Sequence, residues 1–290
     1  MSTLAFILIL SSALMHALWN LLVKCSRDKT VFIWWMFIAS GGMFNILVWS
    51  LPAPFPPLTP QILALSAGGG ACFVLYHLLT GRAYRDGDLS MTYPLAQTAT
   101  AYVPMWGVLL LGEELSVVGL GGIFLILVGV YSVQLRRPSL DDALRPLRNL
   151  RNPSVQAALA AGFVYSIGAV FDKRGVLSYP PFYFTYLLVM AMLLFMSLNL
   201  LRSRYRGRVL AEWQCSRPLI LLSGPVMMGS FLTFRYALTI TPLSYAVPAR
   251  QVSLLFGILL GVYFLGESCG RIRFIAGMLV LAGVFLLRLG

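Results

Sequence analysis

Long apolar stretches alternate with short polar clusters along the whole chain. Each stretch has about 18 residues or more, the length an α-helix needs to cross a bilayer core of roughly 30 Å. Prolines end some of them, as in LPAPFPPLTP at 51–60, because proline cannot continue a helix. The pattern predicts ten membrane spans, at 3–23, 31–50, 61–83, 90–111, 116–135, 154–171, 182–201, 218–238, 243–264 and 272–289.

Helices and closed β-barrels are the two structures that pair all their backbone polar groups inside a bilayer. Barrel strands alternate apolar and polar residues over about ten positions, whereas this chain has continuous apolar runs. The composition agrees with the helical solution, with 59% hydrophobic and 11% charged residues, against about 45–50% and 25% in soluble domains. We therefore expect an all-α integral membrane protein.

Only one connection is long, the arginine-rich segment at 139–153, and it separates five spans from five. We therefore expect one five-helix unit at 1–138 and a second at 154–290. The net charge of +12 is ascribed to loop residues and not to nucleic-acid binding, which would need a soluble basic face. The four cysteines include no CxxC pair, so neither disulfides nor a metal site is predicted, and no motif suggests a cofactor.

The two halves share a sequence pattern. LSMTYPLAQTATAYVPMWGVLLLGEE at 89–114 aligns with LSYAVPARQVSLLFGILLGVYFLGES at 243–268, at an offset of 154 residues. Nine of the 26 positions are identical. Shared hydrophobicity does not explain matched proline, glutamine and Gly-Glu positions, so we interpret the match as an internal duplication. Since five is odd, the second copy must enter the membrane from the opposite side, which gives two inverted five-helix repeats.

The paired Pro-x-x-Gln…Leu-Gly-Glu helices in a five-plus-five layout resemble the EamA branch of the drug/metabolite transporter (DMT) superfamily. The resemblance covers essentially the whole chain. It implies ten helices around a central cavity and exchange of substrates by alternating access. Members of the family move amino acids, nucleotide-linked metabolites, quaternary amines and drugs, so the resemblance does not name a substrate.

Lysine and arginine are unequally distributed between the two sides of the predicted membrane. The odd-numbered connections carry 17 of the 22 basic residues. The positive-inside rule then places these connections in the cytoplasm and both termini outside. We expect a multi-pass protein of the cell membrane, in a bacterium the inner membrane.

Arg250 is the most informative polar residue within a span. It lies seven residues into its helix, or about 10 Å deep at 1.5 Å per residue. A guanidinium there could bind a carboxylate, phosphate or phosphonate in bidentate fashion, or it could pair internally with Glu113, Asp172 or backbone carbonyls. The first repeat has Ala96 at the matched position, and this asymmetry favours a role in substrate choice.

Further polar or aromatic positions within the spans are candidates for the cavity wall. Gln97 and Gln251 match between the repeats, and they could line the cavity or simply bond helix to helix. His16 and Asn20 are four residues apart on one helix face. The predicted substrate-binding set is Arg250, Gln97, Gln251, Tyr93, His16, Trp19, Asn20, Tyr76, His77, Tyr165 and Arg235.

Two other matched pairs have predicted structural roles. Pro94 and Pro248 should weaken each helix one turn after its start, as in the broken helices that gate transporter sites, although a proline in a first turn can also be merely tolerated. Glu113 and Glu267 end their helices, where a negative charge is disfavoured. We expect these acids to cap the following turn or the N-terminus of the next helix.

The repeat, Arg250 and the resemblance together indicate a secondary transporter. We expect it to move a small amino acid-like metabolite, zwitterionic or anionic, outward across the membrane; an uptake carrier and a multidrug exporter are alternatives. The alternative of another class is a membrane-embedded enzyme acting on a lipid-type substrate, but the sequence has no HExxH or paired-aspartate motif, and no catalytic residue is predicted. The expected partners are a small-molecule substrate and the bilayer, in a monomer or homodimer. His16 or His77 could carry a coupling proton, or each could be a hydrogen-bonded packing residue.

Overall fold

The computed structural model describes most of the chain. The described residues are 1–52, 54–86, 95–133, 135, 139, 144, 148–200, 205–266 and 270–290. Eleven helices lie within them: α1 Thr3–Cys25, α2 Lys29–Ser50, α3 Pro60–Asp86, α4 Ala99–Leu111, α5 Val117–Ser132, α6 Pro153–Ser178, α7 Pro181–Leu200, α8 Arg206–Ile240, α9 Leu243–Arg250, α10 Ser253–Leu265 and α11 Arg271–Leu289.

These helices make ten membrane spans, because α9 and α10 are two parts of one span. Eight helical segments are long and apolar enough to cross a membrane, and α4 and α5 are shorter apolar helices. Large apolar side chains point outward, with Trp49, Val117 and Tyr263 each more than 80% exposed. Apolar surface on this scale suits contact with lipid. The chain is a ten-helix, multi-pass membrane protein, and the predicted fold class is confirmed.

Two helices are longer than the hydrophobic pattern predicts. α6 continues to Ser178, past the predicted end at 171, and α8 begins at Arg206, well before 218. Pro218 was expected to start the eighth span, but it lies inside α8. The helix accommodates it by leaving helical geometry at Ser216, where φ is −123° and ψ is 18°, which relieves the clash between the proline ring and the preceding turn.

The fourth and ninth spans break at matched positions. Hydrogen bonds of the tighter i→i+3 type run from the Thr98 N–H to Leu95 and, 154 residues later, from the Val252 N–H to Ala249. These bonds replace α-helical ones at the Gln97 and Gln251 positions, three residues after each repeat's proline. Both spans are therefore interrupted at the matched glutamines.

Matched glycines end the same two spans. Gly112 and Gly266 have φ values of 66° and 64°, in the left-handed region that only glycine adopts at no steric cost. Their N–H groups donate to the carbonyls of Gly107 and Gly261, which are again matched residues.

The contacts between helices are also matched when the two halves are exchanged. α1 packs on α8 as α6 packs on α3, and α2 packs on α8 as α7 packs on α3. α1 also packs on α10 as α6 packs on α4, while α5 and α11 pack on each other. A two-fold relation between the repeats predicts these pairs. The domain boundaries at 138, 139–153 and 154 stay a prediction.

Candidate functional site

A cavity of about 1730 Å³ lies between the two halves. It is lined by residues of α1, α2, α3, α6, α7 and α8 and of the broken fourth and ninth spans. Ten of the predicted binding residues lie on its wall: His16, Trp19, Asn20, Tyr76, His77, Gln97, Tyr165, Arg235, Arg250 and Gln251. Tyr93, Pro94 and Glu267 lie outside the described residues. Pro248 is buried beside the wall and does not line the cavity.

Arg250 is held by neutral groups. One guanidinium nitrogen, Nη2, donates to the Ser230 hydroxyl at 3.0 Å and lies 3.3 Å from Nδ1 of His16. The Cζ atom stands 4.3 Å from the ring centre of Phe234, a cation–π distance. Its Nε is buried and has no hydrogen-bond partner among the described residues. The guanidinium therefore enters the cavity wall with donor capacity unused.

Arg250 forms an ion pair with neither Glu113 nor Asp172, the two acids that the sequence offered as internal partners. Glu113 binds the start of α9, and Asp172 pairs with Arg235. Since an arginine can only donate, a hydrogen bond between Arg250 and His16 requires Nδ1 of His16 to be the acceptor.

Asp172 and Arg235 form a buried ion pair at the inner end of the cavity. Nε of Arg235 donates to Oδ1 of Asp172 at 3.0 Å, and each side chain is at most 4% exposed. Nη1 of Arg235 donates to the Phe231 carbonyl at 3.4 Å, and its Cζ lies 4.8 Å from that ring's centre. The guanidinium thus approaches the carboxylate through a single N–H and not in a two-bond fork.

The matched glutamines meet each other in the cavity wall. Nε2 of Gln251 lies 3.3 Å from Oε1 of Gln97 and donates to the Thr100 hydroxyl at 2.8 Å. Both interpretations of these glutamines therefore apply, because they bond helix to helix across the two halves and also line the cavity.

An aromatic cluster forms the wall near α1 and α3. His16 packs edge-on against Trp19 with ring centres 4.8 Å apart, and His77 lies 6.3 Å beyond. Tyr76 continues the cluster and packs 5.1 Å from Tyr165 on α6. The Trp19 Nε1 is buried with no partner in the described structure. Asn20 also lies on the wall, but its amide nitrogen already donates to the His16 carbonyl of its own helix at 2.9 Å.

Glu113 does cap a helix, but one in the other half. Its carboxylate accepts from the backbone N–H groups of Leu243 and Ser244 at 2.6 and 2.8 Å and from the Ser244 hydroxyl at 2.6 Å. The prediction of a cap on the following turn or the next helix was wrong for this residue, because inverted repeats bring the end of the fourth span against the start of the ninth. Gly107 leaves the necessary room, since a Cβ there would overlap the Ser244 hydroxyl.

Further bonds close the end of the molecule that contains Glu113. Nζ of Lys173 donates to the carbonyls of Leu238 and Thr241 at 2.6 and 2.9 Å. The Ser116 N–H donates to the Tyr245 hydroxyl at 2.9 Å, which links the two halves again. The cavity lining includes none of these residues.

The opposite end of the cavity is open and basic. Its lining reaches the odd-numbered connections, with six basic side chains against the acids Asp28 and Glu212. Asp28 pairs with Arg208, and Glu212 accepts from the backbone of Arg27 and Asp28. The basic residues are Lys24, Arg27, Lys29, Arg82, Arg208 and Arg273.

Sequence reasoning missed three groups on or beside this site. Asp172 was considered only as a partner for Arg250, and Ser230 and Phe234 were not considered. Asp172 carried a usable signal, because an acid within an apolar span needs a partner. Ser230 carried none, since serines are common in membrane helices.

Known proteins give three results. A solved crystal structure, described only as that of a protein, superposes with a TM-score of 0.78 at 14% identity, covering 98% of this chain and 97% of that one. At this identity the likeness concerns the fold alone. No curated protein matches the chain significantly. The sequence profile of the EamA-like transporter family matches residues 152–289. This second half of the chain is therefore EamA-like, and the EamA-like transporter family belongs to the DMT superfamily.

Proposed function

We propose that the protein is a secondary active transporter for a small zwitterionic or anionic metabolite. The observation that carries the proposal is Arg250, a guanidinium in the wall of the central cavity that contacts neutral groups and forms no ion pair with a described carboxylate. A cation within a membrane is costly and is kept where it has a partner. A carboxylate, phosphate or phosphonate of the substrate supplies that partner, with two parallel hydrogen bonds to the guanidinium.

The surroundings of Arg250 support the same substrate class. The six basic side chains at the cavity mouth raise the local concentration of anions, because clefts lined by one sign of charge focus the field. The aromatic cluster of Trp19, Tyr76 and Tyr165 offers apolar surface and polar edges for the rest of the molecule. Purely cationic drugs fit this charge pattern poorly.

The open end of the cavity supports outward transport. The cavity opens toward the odd-numbered connections, which the charge distribution assigns to the cytoplasm. A substrate would then load from the cytoplasm and leave outward, after the repeats exchange their closed and open ends by alternating access. His16 and His77 remain the candidates for a coupling proton.

Transport by protein in liposomes tests the proposal. Uptake of labelled L-alanine, L-glutamate, taurine and propionate is measured for the wild type and for Arg250→Gln. For any probe that the wild type transports, we expect the transport rate of the variant to be at least about tenfold lower, since a hydrogen bond to a charged group is lost. Arg217→Gln is the control, because Arg217 is exposed over Trp213 and does not line the cavity. Unchanged transport in Arg250→Gln would overturn the proposal.

A further inference from the structure

Asp172 has a carboxylate oxygen that no described residue binds. Oδ1 accepts from Arg235, while Oδ2 accepts no hydrogen bond from any described residue. Oδ2 is also absent from the buried polar atoms that lack a partner in the described structure. The small exposed part of this side chain therefore includes Oδ2, and since Asp172 lines the cavity, that oxygen faces the cavity.

The geometry of the ion pair keeps this oxygen available. A guanidinium normally binds a carboxylate through two parallel N–H groups, which would occupy both oxygens. Arg235 instead donates to the carboxylate through Nε alone, while its Nη1 donates to the Phe231 carbonyl and its Cζ lies over the Phe231 ring. A pair that only neutralised a buried charge would gain from the second hydrogen bond.

Asp172 differs from the other acids on the cavity wall. Asp28 and Glu212 lie at the mouth, and both are engaged, Asp28 with Arg208 and Glu212 with two backbone N–H groups. Asp172 lies deep in the site, close enough to Arg250 for their charges to interact. Among the described lining residues, it is the one carboxylate at the level of Arg250.

We propose that Oδ2 of Asp172 is the binding site for an ammonium group of the substrate. The substrate then spans two charged groups, with its anionic end on Arg250 and its primary or secondary ammonium on Asp172. This inference rests on the proposed function and narrows it from zwitterions or anions to molecules that carry both charges. An ammonium donates to a carboxylate in a charge-assisted hydrogen bond, which is stronger than a neutral one.

Matched pairs of probes separate this proposal from the role of Arg250. Each pair differs by one amino group: L-alanine and propionate, L-glutamate and glutarate, taurine and ethanesulfonate. Affinities are measured by titration calorimetry on purified full-length protein. For at least one pair we expect the wild type to bind the aminated member about tenfold or more tightly than its partner.

In Asp172→Asn, which keeps the side-chain shape, we expect that ratio to fall to about one, with no loss of affinity for the deaminated member. Arg250→Gln should weaken both members together. Glu114→Gln, an exposed acid outside the cavity, should leave the ratio at its wild-type value.

A second variant protects the test against misfolding. Removing one partner of a buried ion pair is strongly destabilising, whereas replacing both is often tolerated. Asp172→Asn combined with Arg235→Gln therefore decides the matter if the single variant does not fold. A ratio that persists in either folded variant, or a wild type that prefers no aminated probe, overturns the ammonium site. Weakened binding of the deaminated probes in Arg250→Gln would still support the proposed function in that case.

Discussion

Arg250 and His16 are 234 residues apart in the chain and meet in the cavity wall, with 3.3 Å between Nη2 of Arg250 and Nδ1 of His16. The two residues come from opposite repeats. Ser230 accepts from the same nitrogen at 3.0 Å, so the guanidinium is fixed by one acceptor from each half. The position of the Arg250 guanidinium therefore depends on how the two repeats are arranged. A binding group in an alternating-access carrier should respond in this way when the repeats move.

Loss of the histidine acceptor should loosen this cation. In His16→Ala we expect affinity for an anionic or zwitterionic probe that the wild type binds to fall about three- to tenfold, because one hydrogen bond to a charged group is lost. His16→Asn keeps an acceptor and should recover part of the affinity. Titration calorimetry on both variants checks the prediction. His77→Ala removes a histidine that packs against Trp19 and Phe37; an equal loss there would contradict a specific role for His16.

The sequence predicted the repeat and its consequences well, because they depend on local chemistry. The Leu-Gly-Glu corners match between the repeats, and their glycines at 112 and 266 both have the left-handed conformation that glycine adopts at no steric cost. The depth of Arg250 in its span predicted a cavity position that the structure has.

Contacts that depend on helix rotation could not be predicted. The hydroxyl of Ser12 donates to the Ser230 carbonyl at 2.8 Å, across 218 residues. Helices that are apolar all round give no periodic signal for the buried face, so nothing along α1 or α8 marks these serines as partners. The cap that Glu113 forms on α9 depends on the packing of the two repeats in the same way.

The contact between α5 and α11 should tolerate no added side-chain atom. A Cβ at Gly122 would lie 2.7 Å from the Gly283 carbonyl oxygen, and one at Gly283 would lie 2.6 Å from the Gly122 oxygen. Close backbone approach at small residues stabilises membrane helix pairs. We expect Gly122→Ala and Gly283→Ala each to destabilise the protein by about 1–3 kcal/mol, measured as a lower thermal unfolding midpoint in detergent.

The adjacent glycine provides the control for this prediction. A Cβ at Gly121 would meet only the end of the Leu286 side chain, at 4.0 Å. Gly121→Ala should therefore leave the midpoint unchanged or raise it slightly, because alanine favours a helix over glycine. Equal effects at Gly121 and Gly122 would mean that the loss comes from something other than helix contact.

Glu113 should stabilise the junction between the repeats. In Glu113→Gln the charged acceptor of two backbone N–H groups becomes a neutral amide with one acceptor oxygen, and loss of such a cap costs about 0.5–2 kcal/mol. We expect a lower unfolding midpoint than in the wild type. Glu114→Gln removes the same charge one residue later, at an exposed position, and should have no effect. Matching midpoints for the two variants would argue against the cap as a stabilising contact.

The orientation of the chain can be read from cysteine labelling. Cys25 is exposed at the end of α1, on the side of the odd-numbered connections. Ser178 is exposed at the end of α6, on the opposite side. In proteins with a single cysteine, we expect a membrane-impermeant maleimide to label Cys25 only in inverted vesicles and Ser178→Cys only in intact cells. The reverse pattern would place the basic cavity mouth outside the cytoplasm, and the same Arg250 site would then load from outside, as in an uptake carrier.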